Sequence, residues 1–136
     1  MTDFELMKAA VAARDNAYAP YSDFRVGAAL LCKDGRVFTG CNIENASYTP
    51  TNCAERTAFF KAVSEGEREF VAIAVVGGKR GTLAEVCAPC GVCRQVMAEF
   101  CAPDFRVLLG TPDQYAAYRL RELLPLAFCL KNSGGI

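Results

Sequence analysis

Two short cysteine motifs contain the residues of this sequence that are best suited to chemistry. Cys53–Glu55 (Cys-Ala-Glu) opens one predicted helix, and Pro89–Cys93 (Pro-Cys-Gly-Val-Cys) opens another. Thiols at positions i and i+3 on the first turn of a helix can bind one metal ion, and a thiol at a second helix start supplies a third ligand. Three protein ligands leave the fourth coordination position open for water, as in catalytic zinc sites. We therefore predict that Cys53, Cys90 and Cys93 hold one zinc ion per chain.

Glu55 is the candidate acid–base catalyst. It stands two residues after a predicted ligand, close enough to move a proton of the metal-bound water, whose pKa zinc lowers toward neutrality. The chain contains no histidine, which excludes His-ligated metal sites and Ser–His or Cys–His nucleophile pairs. The catalyst must then be a carboxylate, Lys, Tyr or Cys side chain.

Residue spacing alone leaves two further roles open for the cysteines. A lone Cys-x-x-Cys motif also occurs in redox pairs and in structural zinc sites. Cys87, three residues before Cys90, leaves open a four-thiolate structural site in a small binding module, which would have no use for Glu55. The remaining cysteines are interpreted as core or loop thiols without a catalytic role; they are Cys32, Cys41, Cys101 and Cys129.

Length and composition bound the class of protein. The chain has 136 residues, 52% of them hydrophobic, which fits a single compact domain over residues 1–136. Lys plus Arg equals Asp plus Glu, at 15 each, so the basic excess of a protein that grips a nucleic-acid polymer is absent. The N-terminus lacks a secretory pattern, and no apolar run reaches the roughly 18 residues of a membrane span. Eight cysteines without such a signal predict reduced thiols in the cytoplasm.

Hydrophobic periodicity and turn residues predict the elements that position the two motifs. In chain order they are a helix over 3–17 that begins with a Thr2–Glu5 capping box, strands Phe24–Cys32 and Val37–Ile43 joined by a turn at Lys33–Arg36, a helix over Cys53–Glu65, a buried strand Phe70–Val76, a loop Gly77–Ala88, a helix opened by Pro89, a strand Phe105–Leu109, an edge strand Tyr115–Arg119 and a helical turn Leu120–Leu124. This order predicts a layered α/β domain in which a hairpin joins a partly parallel sheet. The polar, Gly-rich segment Lys131–Ile136 is expected to fray.

Several motifs, in the right order, make the chain resemble the short, homotetrameric, zinc-dependent cytidine deaminases from about Ala9 to Phe128. The matching segments are Tyr21–Leu30, Gly40–Tyr48, Cys53–Ala58 and Pro89–Gln95. The resemblance implies an α/β fold of three layers, α-β-α, with a mixed, mostly five-stranded sheet. It implies a hydrolase acting on a cyclic amidine, which converts cytidine and deoxycytidine to uridine and deoxyuridine in pyrimidine salvage. In such enzymes hydroxide attacks C4, a glutamate shuttles protons, and ammonia leaves; here that glutamate is Glu55.

The resemblance also implies roles in substrate binding. Asn42 and Glu44 bind the ribose hydroxyls, Phe24 stacks on the pyrimidine, and Tyr48 belongs to the substrate site. The backbone N–H of Ala54 donates to the pyrimidine carbonyl, using an amide that a helix start leaves free. Without the resemblance, Asn42 and Glu44 would be interpreted as solvated strand-end residues and Phe24 as a core residue.

Further implications concern the zinc surroundings and the assembly. Arg56 and Arg94 are either solvated helix residues or donors to the ligand thiolates, and the resemblance supports the second role more firmly for Arg56. A homotetramer with shared active sites is expected, in which Phe128 from a neighbouring subunit closes the pocket. Leu126 stands where the family has Gly, which puts the path of that loop in question. Ala88 stands where Ser is usual, with little change expected because a backbone carbonyl carries the role.

Three alternative functions are weighed against this one. A deaminase of a modified cytosine nucleoside, of the blasticidin type, shares both zinc motifs, but Asn42–Tyr48 matches the cytidine enzymes better. A nucleotide or polynucleotide deaminase lacks support because no basic cluster is placed to hold phosphate. A structural zinc module needs four protein ligands, so a water in the fourth position would exclude it.

Overall fold

A computed structural model of the chain describes residues 1–130, so the segment expected to fray lies outside the described residues. Within that range the elements are α1 (Asp3–Arg14), β1 (Phe24–Cys32), β2 (Val37–Cys41), α2 (Ala54–Ser64), β3 (Phe70–Lys79), α3 (Gly91–Phe100), β4 (Arg106–Thr111), β5 (Gln114–Arg119) and α4 (Leu120–Leu123). The predicted order of helices and strands is confirmed.

The five strands form one mixed sheet in the order β2-β1-β3-β4-β5. β3 and β4 are parallel, whereas the other neighbouring pairs are antiparallel. Alternate side chains of a strand point to opposite faces, and β1 shows the result. Ala29 packs in a cluster with α1, while Ala28 and Leu30 pack in a cluster with α2 and α3. The three-layer α-β-α architecture is therefore confirmed.

The N-terminal capping box forms as predicted, with the Thr2 hydroxyl accepting from the N–H of Glu5 and the Glu5 carboxylate accepting from the N–H of Thr2. The helix that it begins is shorter than the predicted 3–17. α1 ends at Arg14, because the next N–H groups bond in a tighter turn to carbonyls three residues back. The apolar periodicity continues past this point, since Ala17 is buried in that turn.

The predicted loop Gly77–Ala88 is wrong at its start. β3 runs on to Lys79, because Val26, Arg25 and Phe24 of β1 pair with residues 77–79. Two glycines in sequence suggest a break, but pairing with the first three residues of β1 keeps them extended.

Other boundaries differ by one or two residues, and two of them lie near the two cysteine motifs. β2 ends at Cys41, and Ile43 instead forms isolated bridges with Tyr18 and Asn52. α3 begins at Gly91 with Cys90 as its N-cap, so Pro89 precedes the helix that it was predicted to open.

Gly40 lets α2 lie against β2. A Cβ at this position would stand 2.4 Å from the carbonyl oxygen of Ala54 and 2.6 Å from the backbone nitrogen of Ala58. Backbone atoms cannot yield as side-chain ends can, so only glycine allows this approach. The approach fixes the first turn of α2, and with it the Cys53–Glu55 motif, against the sheet.

None of the helices within residues 1–130 has the length and apolar character needed to cross a membrane.

Candidate active site

The starts of α2 and α3 meet at one point, where three thiols gather. Cys53 is the N-cap of α2 and Cys90 is the N-cap of α3, and neither side chain makes a capping hydrogen bond. Cys93 lies buried on the first turn of α3. The three sulfurs lie within 4.8 Å of one another. Both helix starts therefore direct their free N–H groups and positive dipole ends toward the thiols.

The sulfur positions fit a tetrahedral zinc ion. The Sγ atoms of Cys53 and Cys90 are 3.9 Å apart, and those of Cys90 and Cys93 are 3.6 Å apart. Zinc–sulfur bonds of about 2.3 Å at tetrahedral angles separate two sulfurs by about 3.8 Å. Cys87 lies outside this cluster among the described residues, so the four-thiolate alternative lacks its fourth ligand.

Arg56 balances the charge of the thiolates. Its Nη2 donates to the Sγ of Cys53 at 3.2 Å, and its guanidinium also interacts with Cys93. Hydrogen bonding from Cys93, and then from Arg56, lowers the pKa of Cys53 to about 5. Zinc held by three thiolates would carry one net negative charge, which the guanidinium and the two helix starts would offset. A zinc ligand must be deprotonated, so the guanidinium and the helix starts favour metal binding, whereas the hydrogen bond with Cys53 raises the pKa of the Cys93 thiol that donates it.

Arg94 has a different part. Its Nε donates to the carbonyl of Pro89 at 2.8 Å, and its Nη1 donates to the carbonyl of Leu123 at 2.6 Å. It therefore ties the loop before α3 to the end of α4, and it is neither a solvated residue nor a partner of the thiolates in this structure.

Glu55 is buried, at 4% exposure, on the first turn of α2. Burial disfavours the ionised carboxylate and raises its pKa to about 7, and the neighbouring Cys53 charge adds to the effect. A group with this pKa holds or releases a proton near neutral pH, as a general acid–base catalyst must. The structure thus brings Glu55 and the three cysteines together, as the two motifs predicted.

Asn42 and Phe24 lie side by side at the start of β1. The Asn42 side chain is buried; its Oδ1 accepts from the N–H of Val26, and its Nδ2 donates to the carbonyl of Phe24, both at 2.8 Å. Oδ1 can therefore accept one further hydrogen bond, and Nδ2 can donate one more. Ribose binding by Asn42 stays a prediction.

Glu44 lies in a surface cavity of about 400 Å³. The cavity is lined by Tyr21, Ser22, Glu44, Asn45, Tyr48 and Thr51. The carboxylate of Glu44 accepts hydrogen bonds from the N–H groups of Tyr21 and Ser22 and from the Ser22 hydroxyl. The Ser22 hydroxyl is the main cause that lowers the pKa of Glu44, so this group is a fixed anion that can accept from a sugar hydroxyl.

Tyr48 and Phe128 are exposed, at 84% and 65%. The Phe128 carbonyl accepts from Nε2 of Gln95 on α3 at 2.9 Å, but its ring points into solvent. Leu126, where Gly was expected, has a φ of 54° and is fully exposed. The loop therefore adopts a left-handed conformation that favours glycine, although the residue there is leucine.

Two hydroxyls that position the site were not singled out from sequence. Ser22 holds Glu44, and Thr57 bonds the carbonyls of Cys41 and Cys53, at 3.1 Å each, and so joins β2 to the start of α2. Both stand inside the motifs that carry the family resemblance, at Tyr21–Leu30 and Cys53–Ala58. Their partners are distant in the chain or are backbone atoms, which residue types and spacing do not reveal.

Comparison with known proteins assigns the family. Residues 1–109 match the family described as "Cytidine and deoxycytidylate deaminase zinc-binding region". The chain belongs to this deaminase family. A protein from Halalkalibacterium halodurans named "Cytidine deaminase" is 57% identical over 128 residues, which cover 93% of this chain and 94% of that protein. The crystal structure of a cytidine deaminase from Burkholderia pseudomallei has a TM-score of 0.86 and 53% identity, covering 94% of this chain and all of that one.

A more distant relative bears on the alternative substrate. "Blasticidin-S deaminase" from Bacillus cereus is 33% identical over 107 residues, 76% of each chain. The resemblance to the deaminase family that the motifs indicated is thus confirmed, and so is zinc as the cofactor of this family region.

Proposed function

We propose that this chain is a zinc-dependent hydrolase that deaminates cytidine and deoxycytidine to uridine and deoxyuridine with release of ammonia. The observation that carries the proposal is the cluster of three thiols at two helix starts beside one buried carboxyl group. A structural zinc module has no need of Glu55, whereas a deaminase needs a residue that moves protons next to the metal.

The roles of the residues follow from their positions. Cys53, Cys90 and Cys93 would hold zinc. When bound, the zinc ion would activate a water molecule for attack on the pyrimidine. Glu55, with its pKa near 7, would take the two protons of that water in turn: the first passes to the ring nitrogen, and the second, from the hydroxyl added at C4, passes to the departing amine. Arg56 offsets the net negative charge of zinc with three thiolates by donating a hydrogen bond to Cys53.

The nucleoside is proposed to lie along β1 and the cavity that contains Glu44. Phe24 stacks on the base, and the free N–H of Ala54 at the start of α2 donates to the pyrimidine carbonyl. Asn42 and Glu44 bind the ribose hydroxyls, since one amide and one fixed carboxylate can each share a sugar hydroxyl. No second charged group is needed, because a nucleoside is neutral.

The site is proposed to be completed in a homotetramer. Tyr48 and Phe128 are large aromatic side chains that are mostly exposed to solvent. Tyr48 lines the proposed substrate cavity, and Phe128 lies near the end of the described chain. Large exposed apolar side chains at such places favour contact with another subunit. We propose that Phe128 of each subunit closes the pocket of a neighbour, with Tyr48 on the wall of the same site.

The remaining proposals concern the whole chain. Residues 1–136 are proposed to form one deaminase domain that acts in the cytoplasm, which suits eight free thiols. Neither a nucleic-acid polymer nor a membrane is proposed as a partner. The second candidate, a deaminase of a modified cytosine nucleoside, rests on the more distant relative named for blasticidin S.

The test is turnover followed by ultraviolet absorbance for cytidine, deoxycytidine, deoxycytidine monophosphate and blasticidin S side by side. We expect turnover of both nucleosides and much slower reaction of the nucleotide. Selective turnover of blasticidin S would favour the second candidate, and turnover of neither class by zinc-loaded protein would refute the proposal.

A further inference from the structure

Gly77, near the end of β3, leaves one small space that two other side chains share. A Cβ at Gly77 would lie 2.6 Å from the Sγ of Cys87 and 3.0 Å from Cε1 of the Phe24 ring. A Cβ contact of 2.6 Å does not occur in folded proteins and one of 3.0 Å is unusually tight, so at least one neighbour would have to move. The sulfur and the ring edge therefore flank the space that glycine leaves empty.

The strand register explains why the ring reaches this space. Val26 of β1 pairs with Gly77, and Phe24 pairs with Lys79. Phe24 is two residues from Val26 and so lies on the same face, diagonally across from Gly77. An aromatic side chain at a diagonal position can lie over the bare backbone of a glycine on the neighbouring strand.

Cys87 joins this group to the catalytic residues. It comes from the loop before α3 and lies near enough to Glu55 and Cys53 for their charges to act on its thiol. It is not one of the three clustered zinc ligands, and the catalytic chemistry proposed above makes no use of it. Its sulfur and the edge of the Phe24 ring both border the space beside Gly77.

We propose that Gly77 and Cys87 are positioning residues that set the orientation of the Phe24 ring and thereby the affinity for the pyrimidine. The proposal rests on the proposed function, in which Phe24 stacks on the base. Stacking acts on the bound substrate and on the transition state alike, so a displaced ring should raise KM and leave kcat nearly unchanged.

The test begins with Gly77→Ala in the zinc-loaded protein, assayed with cytidine. The added methyl group displaces the ring or the sulfur, and misplacement by about 1 Å at a positioning residue can cost up to about 100-fold. We expect KM to rise about tenfold, with kcat within about threefold of wild type and zinc content unchanged.

Rescue distinguishes crowding from general damage to β3. Cys87→Ala removes the sulfur that stands 2.6 Å from the position of the new methyl group. The double variant Gly77→Ala, Cys87→Ala should therefore reverse at least half of the rise in log KM. Non-additivity of this kind shows that the two positions share one space. The control is Val75→Ala, fully buried two residues earlier in β3, which should lower the melting temperature and leave KM unchanged.

The outcomes separate this proposal from the proposed function. Absence of cytidine turnover in the wild-type protein refutes the function itself. An active wild type with an unchanged KM in Gly77→Ala overturns only the positioning proposal, and so does a rise in KM that Cys87→Ala fails to relieve. If Gly77→Ala does not fold, Cys87→Ala decides alone. Removal of the sulfur that borders the space beside Gly77 should let the Phe24 ring move and raise KM about threefold, and an unchanged KM overturns the proposal.

Discussion

Glu55 shows how one buried carboxyl group links function to stability. Burial raises the pKa of Glu55 from 4.5 to about 7, so the folded state favours the protonated form. The contribution of the protonated Glu55 to the free energy of unfolding is fully present below pH 4.5 and is lost as pH rises through about 7. Ionisation at higher pH places a charge where water cannot solvate it.

The first prediction compares Glu55→Gln with wild type in urea unfolding at pH 5 and pH 8, at matched zinc content. Glutamine cannot ionise, whereas Glu55 ionises as pH rises. Between pH 5 and pH 8 the free energy of unfolding of wild type should therefore fall relative to that of the variant by up to about 3 kcal/mol. A difference that stays constant with pH would show that Glu55 is not a carboxyl group with a raised pKa.

Arg56 is proposed to balance the charge of an all-thiolate site. Its guanidinium donates to the Sγ of Cys53 at 3.2 Å, and no histidine is available as a neutral ligand. Removing a partner of a metal ligand typically costs about 10–100-fold in affinity or activity.

The second prediction is that Arg56→Gln lowers kcat/KM for cytidine by about 10–100-fold. Cys53→His combined with Arg56→Gln should recover part of the loss, because a neutral ligand removes the need for the arginine. Arg68→Gln is the control, since Arg68 donates to the carbonyls of Val63 and Glu67 at the opposite end of α2. If Arg56→Gln is silent with zinc fully bound, the charge-compensation argument is wrong.

Residue types and spacing were sufficient to predict that Cys53, Cys90, Cys93 and Glu55 come together, because the two motifs stand at two predicted helix starts. Their roles as zinc ligands and acid–base catalyst stay predictions. The same approach could not find Gly77, which acts by lacking a side chain. Nor could it find that Ser22 holds Glu44, because those residues are 22 apart in the chain and meet only through the fold.

At the scale of elements, the loop around Leu126 carries backbone strain. Leu126 has a φ of 54° with its side chain fully exposed, and a left-handed conformation costs a non-glycine residue about 1–2 kcal/mol. No side-chain burial offsets that cost here.

The third prediction is that Leu126→Gly stabilises the chain by about 0.5–1 kcal/mol, since relief of the strain exceeds the greater flexibility of glycine in the unfolded state. The measurement is the melting temperature, with Ala127→Gly as a control, which should be neutral or destabilising. A lower melting temperature for Leu126→Gly would show that the leucine side chain makes contacts that offset the strain.

The boundaries of elements were predicted less well than their order. Local patterns predicted β1 and the start of α2 within one residue, and the hairpin turn at Lys33–Arg36 marks the end of β1. β3 extends three residues beyond its apolar run, since pairing with β1 keeps Gly77–Lys79 extended. The end of such a strand depends on its partner, which a local pattern does not contain.

At the scale of the whole molecule, the proposed assembly with shared sites is supported by exposed aromatic side chains. Phe128 presents its ring to solvent while its carbonyl is held by Gln95. A ring fixed at its base and free at its edge is suited to enter a neighbouring subunit.

The fourth prediction is a homotetramer in sedimentation at assay concentration, in which Phe128→Ala raises KM for cytidine more than it lowers kcat. Phe4→Ala is the control, because Phe4 is partly exposed on α1, on the other side of the sheet. A fully active monomer would contradict the shared site.

The most direct test of the deaminase mechanism is cytidine turnover by wild type and Glu55→Gln, each with zinc content and circular dichroism measured on the same sample. Both proteins should bind one zinc per chain and keep the same fold, and Glu55→Gln should lose at least about 10²–10⁴-fold in kcat, since it can no longer carry a proton between water and base. Near-normal turnover in the variant, or inactive wild-type protein with one zinc bound, would contradict this account.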